Sequence, residues 1–263
     1  GAALLGLANR SARAGGGVLQ ETHHPAKAKR VIHLCLCGCL SHVDSFDYKP
    51  MLAKLHGKPL PSSEKPDVFF GQVGLLKKPD WAFRQHGESG LWISDLFPHL
   101  AKQADELTMI HSMFAETSNH TPATFQENSG FRLNGFPVLG SWLSYGLGCE
   151  TDDLPAYVVI PDARGLPAGG SINWTSGFLP AQHQGVVLKS QGPPIADLLP
   201  AKDVPSQQEA ATRELLSAFN RKHLDEHPED LLAARVRSFE LAAKMQLAAP
   251  EAADLSQESA ETQ

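Results

Sequence analysis

Apolar positions come first in short unbroken runs separated by mixed stretches and then, over the last third of the chain, in helical stripes. Lys29 to Cys37 (KRVIHLCLC) is continuous, apolar and bounded by polar residues and Gly38, which predicts a buried strand. Leu107 to Phe114 (LTMIHSMF) and Ala156 to Ile160 (AYVVI) predict two more. Helical patterns lie between these runs. Ser94 is placed to cap a helix reaching about Ala104, with Asp95 well sited for its dipole. Thr121 to Ser129 and Val138 to Leu147 are shorter helices, the second stopped by Gly148. Strands alternating with helices predict an α/β fold with a mostly parallel sheet flanked by helices.

Two stretches break the pattern. Residues 51–90 are rich in Pro, Gly and Lys and read as an insertion or long loop, and residues 165–199 are loop-rich without a period. The last third is different. Ser206 with Glu209 forms a capping box, and Leu215, Leu216 and Phe219 share one face of the helix that follows. A second helix begins after Pro228, with Leu232, Val236, Phe239 and Ala243 on one stripe, so residues 206–249 are expected to be helical. Beyond Pro250 the residues are small, polar and acidic.

The first residues carry a different signal. Gly1 to Ala8 is a short apolar run, Arg10 and Arg13 follow, and Ala12-Arg13-Ala14 is an A-x-A cleavage site. This is the back half of an export signal. Residues 1–14 are therefore expected to be a signal remnant and residues 15–27 a linker, with the mature protein in the periplasm or outside the cell. A membrane span needs about 20 apolar residues, and this run is too short.

Composition narrows the classes. With 263 residues, 42% of them hydrophobic, the chain has material for one large core or two small ones. Its net charge is -6 and its basic residues are scattered, which excludes a nucleic-acid partner read through a basic stripe. Four cysteines are too few for a disulfide scaffold.

Candidate chemistry gathers at the ends of the predicted strands, where doubly wound folds hold their ligands. The first run ends in CLCGCLSHVDSFDYKP, and His42, Asp44 and Asp47 offer oxygen and nitrogen donors to a divalent cation (Ca, Mg, Mn or Zn). The plainer alternative is that Asp44 and Asp47 cap local turns. His33, Cys35, Cys37 and Cys39 share one parity of an extended strand. They suit core packing best, with a soft-metal site or a disulfide as alternatives, because i and i+2 on a strand stand roughly 7 Å apart. The second run leads into AETSNHTPATFQENSG. There Thr121 is expected to cap a helix with Pro122 at its first position, and the free N–H groups of that turn suit an anion. His120, just before it, is a base, a metal ligand or a phosphoryl acceptor. The remaining histidines, His111 and His183 among them, stand apart from other ligand types in sequence and read as surface or core.

Taken in order, VIHLCLCGCLSHVDSFDYKP, ISDLFPHLA, NHTPA, LGSWLSYGLG, LPAYVVIPDARGLPAGG, NWTSGFLPAQHQG and GPPIADL resemble the motifs of one bacterial family, DUF1501, over about residues 28 to 255. That family is placed near the alkaline phosphatase and sulfatase superfamily, and its members carry a twin-arginine export signal. The resemblance implies a phosphatase/sulfatase-like core that is incomplete here. It places a metal site at the end of the first strand and leaves the remaining ligands to a later Gly-Arg-Asp-His-type motif, so the chain is expected to be cut short at both ends. Two departures matter. Set against the sulfatase Cys-x-Pro-x-Arg motif, His120 takes the nucleophile position and Thr124 replaces the Arg, which argues against formylglycine chemistry. Gly38-Cys39-Leu40 stands where the family has Gly-Gly-Pro.

The expected function is an exported, metal-dependent hydrolase of small-molecule or glycan sulfate or phosphate esters. His42, Asp44 and Asp47 would bind metal, His120 or Thr121 would act as nucleophile, and Asn119, Arg164 and Asn173 would grip substrate. The alternative is a non-catalytic exported binding or scaffold protein on the same fold.

Overall fold

The computed structural model describes residues 17–19, 23–25, 27–28, 30–37, 40–61, 72–189, 195, 204–252, 254, 256, 258–259 and 261. The expected signal remnant, Cys39, residues 62–71 of the expected insertion and most of residues 190–203 lie outside the described residues. The chain divides into two units, His33–Ala123 and Gly1–Ile32 with Thr124–Gln263.

The His33–Ala123 unit is organised by a hairpin. Strands β1 (Phe83–His86) and β2 (Leu91–Ser94) pair antiparallel, with Phe83 opposite Ser94 and His86 opposite Leu91. The turn between them begins and ends in Gly87 and Gly90, both at φ 65°, where a side chain would be strained. Asp105, on a 3-10 helix at Leu100–Glu106, accepts the backbone N–H groups of Ser89 (2.8 Å) and Glu88 (3.1 Å). Those bonds, Ser89's first, lower the pKa of its carboxyl. A side chain at Gly87 would collide with that carboxylate.

Helices α1 (His42–Ser45) and α2 (Pro50–Leu55) precede the hairpin, and Pro50 fits the first helical position of α2, where its missing N–H costs nothing. The chain around α1 lies on β2. The buried Ser94 hydroxyl donates to the Asp44 carbonyl at 2.6 Å. Phe46 stacks on Phe97 at 5.4 Å, and Tyr48 stacks on Trp92 at 4.3 Å and leans on Phe83 at 5.3 Å. Ile93, Ala104, Ser45 and Ser94 form the buried centre.

Three expectations fail in this part of the chain. The described residues of the first apolar run form no strand, and its large side chains are exposed, Ile32 by 85%. Leu107 to Phe114 forms none either and turns at His111 and Ser112. An extended apolar segment becomes a strand only when a neighbour takes its N–H and C=O groups, and among the described residues no ladder reaches these runs. Ser94 ends β2 and caps no helix. Pro98 has no N–H to return to the Ser94 carbonyl, so the helix starts later, at Leu100, and is 3-10.

Helix α3 (His120–Ser129) agrees with its prediction to within one residue. In the second unit, α4 (Leu139–Leu147) occupies the predicted place. Gly148, at φ 82°, ends it by donating its N–H to the Ser144 carbonyl at 3.0 Å. Val18 and Leu19 donate to the carbonyls of Tyr145 and Gly146, so part of the expected linker satisfies the last turn of α4. Small residues on α4 let loops approach: Gly140 lies against the Tyr157 ring, and the Ser141 hydroxyl reaches the Thr175 carbonyl at 3.1 Å.

Of the predicted strand at 156–160, two residues remain as β3 (Val158–Val159), paired in parallel with β4 (Val186–Val187). The loop-rich stretch that supplies β4 also holds 3-10 turns at Gly170–Trp174 and Ala181–His183. The helical last third is seen as α5 (Ser206–Glu226) and α6 (Asp230–Ala252), joined by the Arg213 to Gln246 hydrogen bond at 3.0 Å. Pro205 occupies the N-cap place expected of Ser206, and Glu209 pairs with Arg213 one turn on. Ala234, Val236, Met245 and Ala249 of α6 are buried, whereas Leu215, Leu216, Phe219 and Phe239 are exposed. The fold is mixed α/β. Among the described residues its sheets are two pairs of strands, in place of the expected larger parallel sheet.

Ser94→Ala removes the hydroxyl that serves the Asp44 carbonyl and is expected to lower stability by about 1–3 kcal/mol. Urea unfolding reads the loss, and an unchanged midpoint would show that the loop does not depend on this bond.

Candidate functional site

The SHVDSFD loop is shaped by its own polar side chains. The Ser41 carbonyl accepts the Asp44 N–H at 3.1 Å and the Ser45 hydroxyl at 2.7 Å, while the Ser41 hydroxyl donates to Asp44 Oδ2 at 2.7 Å. The N–H groups of Phe46 and Asp47 converge on the His42 carbonyl at 3.2 and 2.9 Å. Asp44 thus braces the short helix through the Ser41 side chain. Lys77, bonded first to Asp80, is held in its charged form more weakly by Asp44 as well. His42 is exposed.

Asp47 has the most developed surroundings. Its side chain is 18% exposed, with Lys49 Nζ at 2.9 Å from Oδ2 and His111 Nδ1 at 3.9 Å from Oδ1. His111 comes from the turn that replaces the second predicted strand. Nothing near it in sequence marks it, and only folding carries it to Asp47.

Among the described residues, no three His, Cys, Asp or Glu side chains converge in a group able to hold a metal ion. Asp44 turns to Ser41, Asp47 faces Lys49 and His111, and His42 points to solvent. As they stand, His42, Asp44 and Asp47 are not a complete donor set for a divalent cation.

The start of α3 differs in detail from its prediction. The Asn119 carbonyl accepts the Ala123 N–H at 3.0 Å, and its amide oxygen accepts the Thr121 N–H at 3.3 Å. Asn119 is therefore the cap, in the place expected of Thr121, because its side chain is long enough to turn back onto the second helical N–H. Pro122 then sits in the first turn without being its first residue. The Asn119 oxygen already uses one of the N–H groups that an anion would take. His120 is exposed and Thr121 half-buried.

Arg164 and Asn173 belong to the other unit. Arg164 holds Asp162 with both arms of its guanidinium, Nε to Oδ1 at 3.0 Å and Nη2 to Oδ2 at 2.7 Å, though its side chain is 90% exposed. That pairing holds the Asp162 carboxyl down to about 2. Asn173 is buried, and its amide donates to the carbonyls of Ala168 (2.8 Å) and Gly170 (3.0 Å) and accepts from Asn128 at 3.3 Å. It lines, with Phe125, Asn128 and Ile172, a hollow of about 10 Å³, room for one water molecule. Its amide ties the Gly169 turn to α3.

Sequence reasoning passed over a buried polar cluster in this unit. Ser144 Oγ on α4 lies 2.8 Å from His183 Nδ1, and Gln182 Nε2 lies 3.2 Å from His183 Nε2. The other end of the Gln182 amide, Oε1, accepts from Arg237 Nε on α6. This fixes the protons. Gln182 gives its N–H to His183 Nε2, so Nδ1 carries the ring proton and donates to Ser144. His183 is thus no base toward Ser144, and the pair joins α4 to α6 as structure. Burial first, then the Arg237 charge, lowers the His183 pKa to about 4. The SYG and QHQ phrases carry no signal of this contact.

The site is an acidic loop with a neighbouring imidazole on a mixed α/β scaffold. The chain belongs to the DUF1501 family, described as a protein of unknown function, whose model matches residues 28–263. No curated protein and no solved structure matches it. Among the described residues, no helix is long and apolar enough to cross a membrane.

Because the folded His183 pKa lies below the usual 6.5, the unfolded chain binds a proton in the window between them that the folded chain refuses. Stability is expected to be full above pH 6.5 and to fall as pH drops toward 4. Denaturant unfolding across this window is expected to show a shallower pH slope in His183→Gln. An equal slope would show that the imidazole is not the titrating group.

Proposed function

We propose that the protein is an exported hydrolase of the sulfatase and phosphatase type, acting on sulfate or phosphate esters of small molecules or glycans without formylglycine. The observation that carries the reading is Asp47, a largely buried carboxylate beside His111, on a loop pinned to the β1–β2 hairpin. A carboxylate and an imidazole in this arrangement suit ligation or proton transfer. The chain's resemblance to the DUF1501 motifs adds the superfamily, the twin-arginine route out of the cytoplasm and a divalent cation drawn from Ca, Mg, Mn or Zn. Such a cation, when bound, neutralises ester oxygens as a Lewis acid. The described side chains do not complete its donor set, so no step is assigned to it.

The chain's own groups have these parts. His42, Asp44 and Asp47 are the proposed metal-binding residues. His120 or Thr121, on the first turn of α3, is the proposed nucleophile, and the positive end of the helix favours the developing anion. Asn119 orients that turn through its bond to the Thr121 N–H. Arg164 is the proposed grip on an ester anion, in competition with Asp162, and Asn173 shapes the loop behind it.

A specific observation favours a second reading, a non-catalytic binding or scaffold protein. Asp44, Asp47, Arg164 and Asn173 already have protein partners, which is how structural polar groups are satisfied.

The test is turnover of an aryl sulfate and phosphate ester panel by the natural full-length protein, with Ca, Mg, Mn and Zn supplied singly. Metal-dependent turnover is expected, with kcat/KM falling at least ~100-fold in Asp44→Ala and Asp47→Asn, since even partners outside the ligand shell cost 10–100-fold. Turnover that survives chelation or these substitutions would overturn the metal assignment. No turnover with any cation would favour the scaffold reading.

A further inference from the structure

Cys35 and Cys37 lie in the exposed run ahead of the acidic loop. Had the run been a strand, their side chains would stand roughly 7 Å apart. It is a turn instead. The Cys37 N–H donates to the Cys35 carbonyl at 3.1 Å, the i to i+2 bond of a γ-type turn, and the two sulfurs lie 3.6 Å apart. No disulfide joins them, and Cys37 is exposed while Cys35 is half-buried. Among the described residues they belong to no group of three metal ligands. Two thiols in contact, one of them open to solvent, are better fitted to bond with each other than to enclose a cation.

We propose that Cys35 and Cys37 are a redox-active dithiol that closes to an intrachain disulfide by exchange with a small-molecule or protein disulfide. The exposed Cys37 thiolate attacks one sulfur of the oxidant RSSR, forming the mixed disulfide Cys37–S–S–R and expelling RS⁻. The Cys35 thiolate then attacks Cys37 Sγ, forming the Cys35–Cys37 bond and releasing the second RS⁻. The cysteine sulfurs lose two electrons and the oxidant gains two, and the two cysteine protons end on the two released thiols. So short a loop removes little freedom from the unfolded chain, so the bond is no staple. Exposed disulfides in tight loops are the readily reduced ones, which makes this pair a reversible switch. The inference is independent of the hydrolase reading.

The experiment equilibrates the protein in glutathione buffers of stepped oxidised-to-reduced ratio, blocks remaining thiols with a maleimide, and maps the peptides by mass spectrometry. The expected result is one reversible transition in which two thiols per chain are lost and a Cys35–Cys37 linkage appears. Cys39→Ser and Cys149→Ser are expected to keep that transition, and Cys37→Ser to abolish it while far-UV circular dichroism stays unchanged. Thiols that remain open to maleimide at every ratio would overturn the proposal. So would a stable glutathione adduct on Cys37, or a linkage that persists in Cys37→Ser and disappears in Cys39→Ser.

Discussion

The hydrogen bond from the buried Ser94 hydroxyl to the Asp44 carbonyl ties the acidic loop to the hairpin that supports it. Ser94 reaches that carbonyl because it ends β2, and β2 holds its register because the turn before it is clamped by Asp105. Phe46 on Phe97 and Tyr48 on Trp92 add aromatic stacking to the same attachment. The placement of Asp44 and Asp47 follows from this chain of contacts, and Asp47 meets His111 only with the loop seated.

A second constraint is how polar groups are satisfied. Asp44 is braced by Ser41, Asp105 by two backbone N–H groups, Asp162 by Arg164, and Asn173 by two carbonyls. Asp44, Asp162 and Asn173, which look available in the sequence, are engaged within a few residues, and Asp105 is engaged from across the hairpin turn. The Ser144–His183–Gln182–Arg237 chain is the buried counterpart in the second unit. There the hydrogen-bonding capacities of Gln182 fix the proton on His183 Nδ1, and so turn an apparent serine–histidine pair into a structural link.

Three helical stretches were legible, whereas the short helices at His42–Ser45 and Pro50–Leu55 were not foreseen and the helix expected from Ser94 begins only at Leu100. Thr121 to Ser129, Val138 to Leu147 and residues 206–249 declare themselves through local period, Gly148 and the Pro residues that bound them. The strands were legible only at Val158–Val159, inside the third apolar run. KRVIHLCLC and LTMIHSMF have the composition of buried strands, yet among the described residues neither pairs, while FRQH, inside the stretch read as loop, and LWIS, just beyond it, form the hairpin. Of the candidate site, His42, Asp44, Asp47 and the Asn119 to Thr121 turn were visible as motifs. His111 and His183 were not, because their neighbours in sequence are unremarkable and their partners come from other elements.

The sequence by itself determined the family and the longer helical segments, and local bonds hold the small self-braced turns at Ser41 and Asn119. These rest on bonds between residues a few positions apart, so local order suffices to specify them. Tertiary structure alone decided which apolar runs became strands, which imidazole joined Asp47, and whether Cys35 and Cys37 stood apart on a strand or met across a turn. Strand ladders and ion pairs join distant positions, and an apolar run carries no mark of whether a partner will come to pair with it.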